Sequence, residues 1–93
     1  MKHFEIVCIF KPNIGNDIIE KSINTLSEKI GNLGGKIVGK ENWGILDFAY
    51  TIKKLKKGFY QFLQIDIDGE KIKELTNFFN LEENIIRNLI IFI

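Results

Sequence analysis

The sequence predicts an α+β domain with the element order β-α-β-β-α-β, on three observations. First, His3–Phe10 and Phe59–Asp68 alternate as strands do, and Ile85–Ile93 is rich in β-branched residues. Second, two stretches, one opening at Asp17 and one at Asp68 or Gly69, carry apolar residues at helical spacing. Third, Gly34-Gly35, Lys53–Gly58 and Asn80 punctuate these stretches where elements should end.

In the first strand Phe4, Ile6, Cys8 and Phe10 share one face and His3, Glu5, Val7 and Ile9 the other. Two fairly apolar faces mark a central strand. Lys11-Pro12-Asn13 breaks it. Asp17 and Glu20 stand at capping-box spacing, which predicts a helix start. Ile19, Ile23, Leu26, Ile30 and Leu33 then form one stripe, and Gly34-Gly35 ends the helix in a left-handed turn.

Lys36–Ile52 reads as extended, with Gly39 and Gly44 as bulge points. Lys53–Gly58 reads as a polar turn closing a hairpin with Phe59–Asp68. Ile72, Leu75 and Phe79 form the buried stripe of the second helix, with Phe78 adjoining. Two helices on one face of a four-stranded antiparallel sheet, joined by right-handed crossovers, make a ferredoxin-like sandwich with strand order 4-1-3-2. Its 93 residues suit a single domain, 1–93.

The inward set is then Phe4, Ile6, Cys8, Phe10, Leu63, Ile65 and Ile67, with Ile90 and Phe92 from the last strand and Asn88 awkward beside them. The opposite face carries Val7, Ile9, Tyr60, Phe62, Leu89 and Ile91, with His3 and Arg87 among them. A contiguous apolar surface of this kind predicts a partner: a protein, RNA bases, or a second copy.

Thirteen basic residues nearly cancel twelve acidic ones, leaving a net charge of +1. Global charge therefore does not pull the chain toward nucleic acid, and any such binding rests on local clusters. Lys53, Lys54, Lys56 and Lys57 form one such cluster. It reads either as a phosphate-binding tip or as a solvated turn that discourages aggregation. Cys8 is the only cysteine, so no disulfide forms within the chain and a reducing compartment is expected. The longest apolar run, Leu89–Ile93, is far too short to span a membrane. With no leader visible at the start, the expected location is the bacterial cytoplasm or an organelle matrix.

No catalytic constellation emerges. His3 and Cys8 point to opposite sides of a strand and cannot share a metal ion. Asp66 reads as solvated and Asp68 as a helix cap, not as paired catalytic carboxylates. Ser22 and Ser27 have no histidine to activate them. The sequence predicts no enzyme, no metal, no cofactor and no small-molecule substrate. Lys57-Gly58-Phe59-Tyr60-Gln61-Phe62 is similar to the signature of the RNA-recognition motif, which shares this element order. Its stacking positions, Phe59 and Gln61, fall on the inward face, however, so the phase is wrong.

One segment is more specific. Asn42-Trp43-Gly44-Ile45-Leu46-Asp47-Phe48-Ala49-Tyr50-Thr51-Ile52-Lys53 resembles the signature of the small-subunit ribosomal protein six family, carried by Trp43, Gly44, Ala49, Tyr50 and Ile52. The opening Met1–Val7, the lysine hairpin before Gly58-Phe59-Tyr60 and the closing Asn84-Ile85-Ile86-Arg87 are also similar to that family. Two departures stand out. Ile45-Leu46-Asp47 replaces a basic pair, and Phe48 stands where leucine is usual.

The resemblance implies a structural constituent of the small ribosomal subunit. It implies pairing with the eighteenth small-subunit protein across part of Val7, Ile9, Tyr60, Phe62, Leu89 and Ile91. It also implies joint binding of the central domain of the small-subunit ribosomal RNA. Lys2, His3 and Arg87, together with Lys53, Lys54, Lys56 and Lys57, are the implied RNA contacts. Two rival readings on the same fold are a free-standing single-strand RNA binder of the recognition-motif type and a small-molecule regulatory domain.

Overall fold

A computed structural model of the chain describes residues 2–93. The opening Met1 of the resembling segment lies outside them. The elements are β1 (Lys2–Phe10), α1 (Asn16–Asn32), β2 (Lys36–Ile52), β3 (Leu55–Ile67), α2 (Ile72–Leu81) and β4 (Ile85–Phe92). All four strands join one antiparallel sheet in the order β2-β3-β1-β4, the predicted order read from its other edge. The fold is ferredoxin-like.

The core lies between the helices and one sheet face. Ile6, Cys8, Phe10, Leu63, Ile65 and Ile67 are fully buried there. Ile19, Ile23, Leu26 and Ile30 of α1 and Leu75 and Phe79 of α2 cover them. Leu33 and Ile72, expected within the buried stripes, are only partly buried and pack at the core's margin with Phe78. In β4 the alternation holds, because Ile90, Asn88 and Phe92 pair with Ile6, Cys8 and Phe4. Phe92 sits at the rim, however, 59% exposed, with its ring 5.4 Å from that of Phe4.

Helix ends follow backbone conformation more than side-chain caps. The capping box expected at Asp17 and Glu20 does not form. Gly15, at φ 86°, precedes the helix, and its carbonyl accepts from the Ile19 N–H. Glycine takes this conformation without the Cβ clash that other residues meet. At the other end Gly34, at φ 84°, donates to the Gly31 carbonyl, and Gly35 donates to that of Ile30. These two bonds are a Schellman ending, as the Gly-Gly pair predicts. Asp68 likewise makes no side-chain cap. A 3₁₀ turn over Gly69–Lys71 leads into α2, and the Asp68 carbonyl accepts from the Lys71 N–H. The helix runs one residue past Asn80, to Leu81.

The hairpin departs most from expectation. Only Lys53 and Lys54 form its turn, and Lys56 and Lys57 already belong to β3. Both turn residues have positive φ, 49° and 66°, the signs that a type I′ turn requires. Such turns favour Asn-Gly, because left-handed backbone costs an L side chain about 1–2 kcal/mol. β1 pairs with β3 only as far as Phe10 and Phe59, so residues 46–58 extend beyond it as a two-stranded arm. The bulges expected at Gly39 and Gly44 are present as register shifts at Ile37/Gly39 and Asn42/Gly44. At the second, Gly44 has φ 75° and its N–H donates to Asn42 Oδ1 at 2.8 Å.

Candidate protein and nucleic-acid interface

The open sheet face is built in rows across three strands. Tyr60 pairs with Ile9 and Ile9 with Arg87; Phe62 pairs with Val7 and Val7 with Leu89; Gln64 pairs with Glu5 and Glu5 with Ile91. All six residues expected on this face therefore do share it. They are not equally exposed. Leu89 and Ile91 are 55% and 44% exposed, whereas Ile9 is only 8% exposed.

Ile9 corrects the expectation of a uniformly bare face. Its cover comes from β2, through a gap left by Gly58. A Cβ at Gly58 would lie 2.6 Å from Ile9 Cγ2 and 2.9 Å from Phe48 Cζ. The missing side chain lets Phe48 reach over β3 onto Ile9, while its ring packs tilted against Tyr60 at 6.2 Å. Trp43 extends this cover. Its ring stacks on Phe62 at 5.3 Å and 8° and on Tyr60 at 6.4 Å and 21°. The β2–β3 half of the face, with Ile9, is thus filled by the chain's own aromatics, and the β4 side, Leu89 and Ile91, stays bare. Sequence reading missed the cover because Trp43 and Phe48 lie on a strand broken in register three times. A glycine flanked by aromatics at Gly58-Phe59-Tyr60 was the available signal.

The seven expected RNA contacts do not converge. His3 and Arg87 both sit on the open face but near opposite ends of β1: His3 pairs with Asp66, and Arg87 pairs with Ile9. Six strand residues separate these rows, about 20 Å. Lys2 lies on the helix side, with Nζ 5.1 Å from the centroid of the Phe92 ring. That cation–π contact ties the N-terminal end of β1 to the C-terminal end of β4. His3 Nδ1 meets Asp66 Oδ1, an ion pair when the imidazole is protonated. Lys53 and Lys54 are at the arm's tip, Lys56 is on its open side, and Lys57 is opposite Asp47 on the helix side.

The family-motif residues divide as well. Trp43 and Gly44 shape the stack and the bulge, and Ile52 closes the turn opposite Leu55. Ala49 and Tyr50 lie where β2 runs out of register with β3, and Tyr50 is 70% exposed. Apolar Ile45 and Leu46, in place of cations, are 52% and 42% exposed.

Buried polar groups here are structural. Gln61, at a stacking position of the recognition-motif signature, is buried, and its amide donates to the Glu41 carbonyl at 3.0 Å. Phe59 is buried too. Burial pushes the Cys8 thiol up to about 12, which leaves it a small core residue with almost no thiolate at neutral pH. Among the described residues, no group of three His, Cys, Asp or Glu is placed to hold a metal ion. No helix is long and apolar enough to cross a membrane. The cleft between α1 and β2, about 390 Å³, is open and lined by Asn16, Glu20, Asn24, Lys40 and Glu41 among others.

These features define a class: a ferredoxin-like domain with a half-bare sheet face and a basic hairpin arm. The comparisons with known proteins are more specific. The family model for ribosomal protein S6 matches residues 3–91. Small ribosomal subunit protein bS6 of Phytoplasma mali is 34% identical over 91 residues, spanning 98% of this chain and 97% of that protein. The bS6 protein of Blochmanniella floridana is 42% identical, over 97% of this chain and 74% of that one. The crystal structure of 30S ribosomal protein S6 from Thermotoga maritima superposes with a TM-score of 0.92 at 30% identity, over 99% of this chain and 87% of that one. The chain belongs to the ribosomal protein S6 family of the small ribosomal subunit.

Proposed function

We propose that this chain is a structural, non-catalytic component of the small subunit that binds its ribosomal RNA jointly with the eighteenth small-subunit protein. It acts as one domain, in the bacterial cytoplasm. The observation that carries this reading is the bare half of the sheet face, Leu89 and Ile91 beside half-buried Val7, in a chain of a ribosomal family. Exposed apolar rows of this kind suit a protein partner. The net charge of +1 fits a division of labour, in which the partner supplies much of the positive surface. Arg87 is exposed at the edge of that half; there it would reach phosphate beside a docked partner and position the backbone without reading bases.

The recognition-motif alternative finds no support, because its signature positions Phe59 and Gln61 are buried. The experiment measures RNA binding by the chain alone, by the partner alone and by the pair, across a salt series. Weak binding alone and strong, salt-sensitive binding by the pair is the expected result. Arg87→Ala should weaken RNA binding by the pair and leave protein pairing intact. Tight, salt-insensitive binding by the chain alone would sink the proposal, and equal loss of both affinities would reassign Arg87 to the protein interface.

A further inference from the structure

A hollow of about 230 Å³ lies where the chain leaving β1 meets the hairpin tip. Lys11, Pro12, Asn13 and Ile14 line one side, and Lys53 and Leu55 the other. Two lysines from distant parts of the chain therefore border one small space. Lys11 is held there from the backbone, since its N–H donates to the Asn84 carbonyl at 3.0 Å. We infer that this hollow is a phosphate-binding notch for the RNA backbone, with Lys11 and Lys53 as its cations and Lys54 next to Lys53 in the turn.

Two further observations support the notch. The first is charge. The arm over residues 46–58 carries Lys53, Lys54, Lys56 and Lys57 against the single acid Asp47. The one side-chain ion pair among the described residues is His3–Asp66; Lys57 has Asp47 opposite it, and Lys53 and Lys54 at the tip are in no ion pair. Like charges facing across a hollow repel until an anion sits between them.

The second is backbone strain. Lys53 and Lys54 have φ of 49° and 66°, a conformation that Asn-Gly adopts at lower cost. A turn chosen for stability alone would not place lysine at both positions. Strain held at a charged tip points to a use for the charge. A two-residue turn also presents its lysines at fixed positions, which lessens the ordering cost on binding. Lysine ammonium groups act as point charges suited to phosphate.

The inference rests on the RNA-binding reading above, and the test separates the two. Lys53→Asn with Lys54→Gly restores the preferred turn sequence, and Lys11→Gln tests the facing wall. Each is measured in the full chain with its protein partner and full-length bacterial small-subunit ribosomal RNA. The double variant should melt roughly 5 °C higher. It should bind RNA about tenfold more weakly, with the slope of log affinity against log salt shallower by about one per lysine removed. Lys11→Gln should lower the RNA affinity and the slope without raising the melting temperature.

Unchanged RNA affinity and slope in both variants would overturn the notch while leaving the RNA reading intact. Loss of affinity for the protein partner, with the RNA slope unchanged, would also overturn it, by making the tip a protein contact. If the wild-type pair ignores this RNA, both readings fall. Should the double variant not fold, Lys11→Gln decides alone.

Discussion

The two halves of the open sheet face start from similar residues and end differently. Along β3, Tyr60 and Phe62 are covered by Trp43 and Phe48 from the neighbouring strand. Along β4, Leu89 and Ile91 are not covered. Both flanking strands, β2 and β4, are edges of the sheet, so the difference comes from what each carries. β2 is long, aromatic and shifted in register three times, so it folds its own side chains over the sheet. β4 is short, and its open-face residues Arg87, Leu89 and Ile91 include no aromatic that could do the same. Apolar surface along β4 can therefore be removed from water only by another molecule, whereas apolar surface beside β2 is removed by the fold itself. One half of the face is closed by the fold and the other stays open to solvent.

The comparison breaks most sharply at Gly58. Gly58→Ala places a methyl 2.6 Å from Ile9 Cγ2, 2.9 Å from Phe48 Cζ and 3.1 Å from the Phe10 carbonyl oxygen. The aromatic cover must then lift or the strands must shift. The expected loss is about 2–3 kcal/mol, read as a lower denaturant midpoint. A midpoint within error of wild type would mean that Phe48 does not seal this half.

Trp43→Ala removes a half-exposed ring and two stacking contacts, so the expected loss is smaller, about 1–2 kcal/mol. Greater exposure of Phe62 and Tyr60 should follow, visible as a rise in binding of an apolar dye. At the other half, Leu89→Ala with Ile91→Ala should change stability by no more than about 1 kcal/mol in total. The same pair of changes should weaken association with the protein partner by about tenfold or more. A large stability loss with unchanged association would show the two halves to be alike.

Much of this was legible in the sequence, for definite reasons. The inward residues of β1 and β3 and the stripes of both helices followed from periods of two and 3.6, which depend only on local geometry. Gly34-Gly35 named its helix ending because few other sequences adopt it cheaply. The capping box failed at Asp17 and Glu20 because Gly15 already turns the chain into α1 through its backbone. The lysine run misled in a similar way. Four lysines look like one loop, yet the turn needs only two of them, and Lys56 and Lys57 are drawn into β3 by pairing with β2.

The candidate site was legible as a set of residues but not as an arrangement. Lys2 and His3 are neighbours in the chain, but strand alternation puts one over Phe92 and the other against Asp66. Lys11 offered no signal at all, since its relation to Lys53 exists only once the arm passes the end of β1.

By itself the sequence determined the element order, the buried faces and the family, because periodicity and local motifs are properties of neighbouring residues. Only the tertiary structure decided which half of the open face stays bare and which lysines share a hollow. Those outcomes depend on how far β2 reaches across the sheet, a distance set by long-range pairing and bulges and not by any stretch of chain read alone.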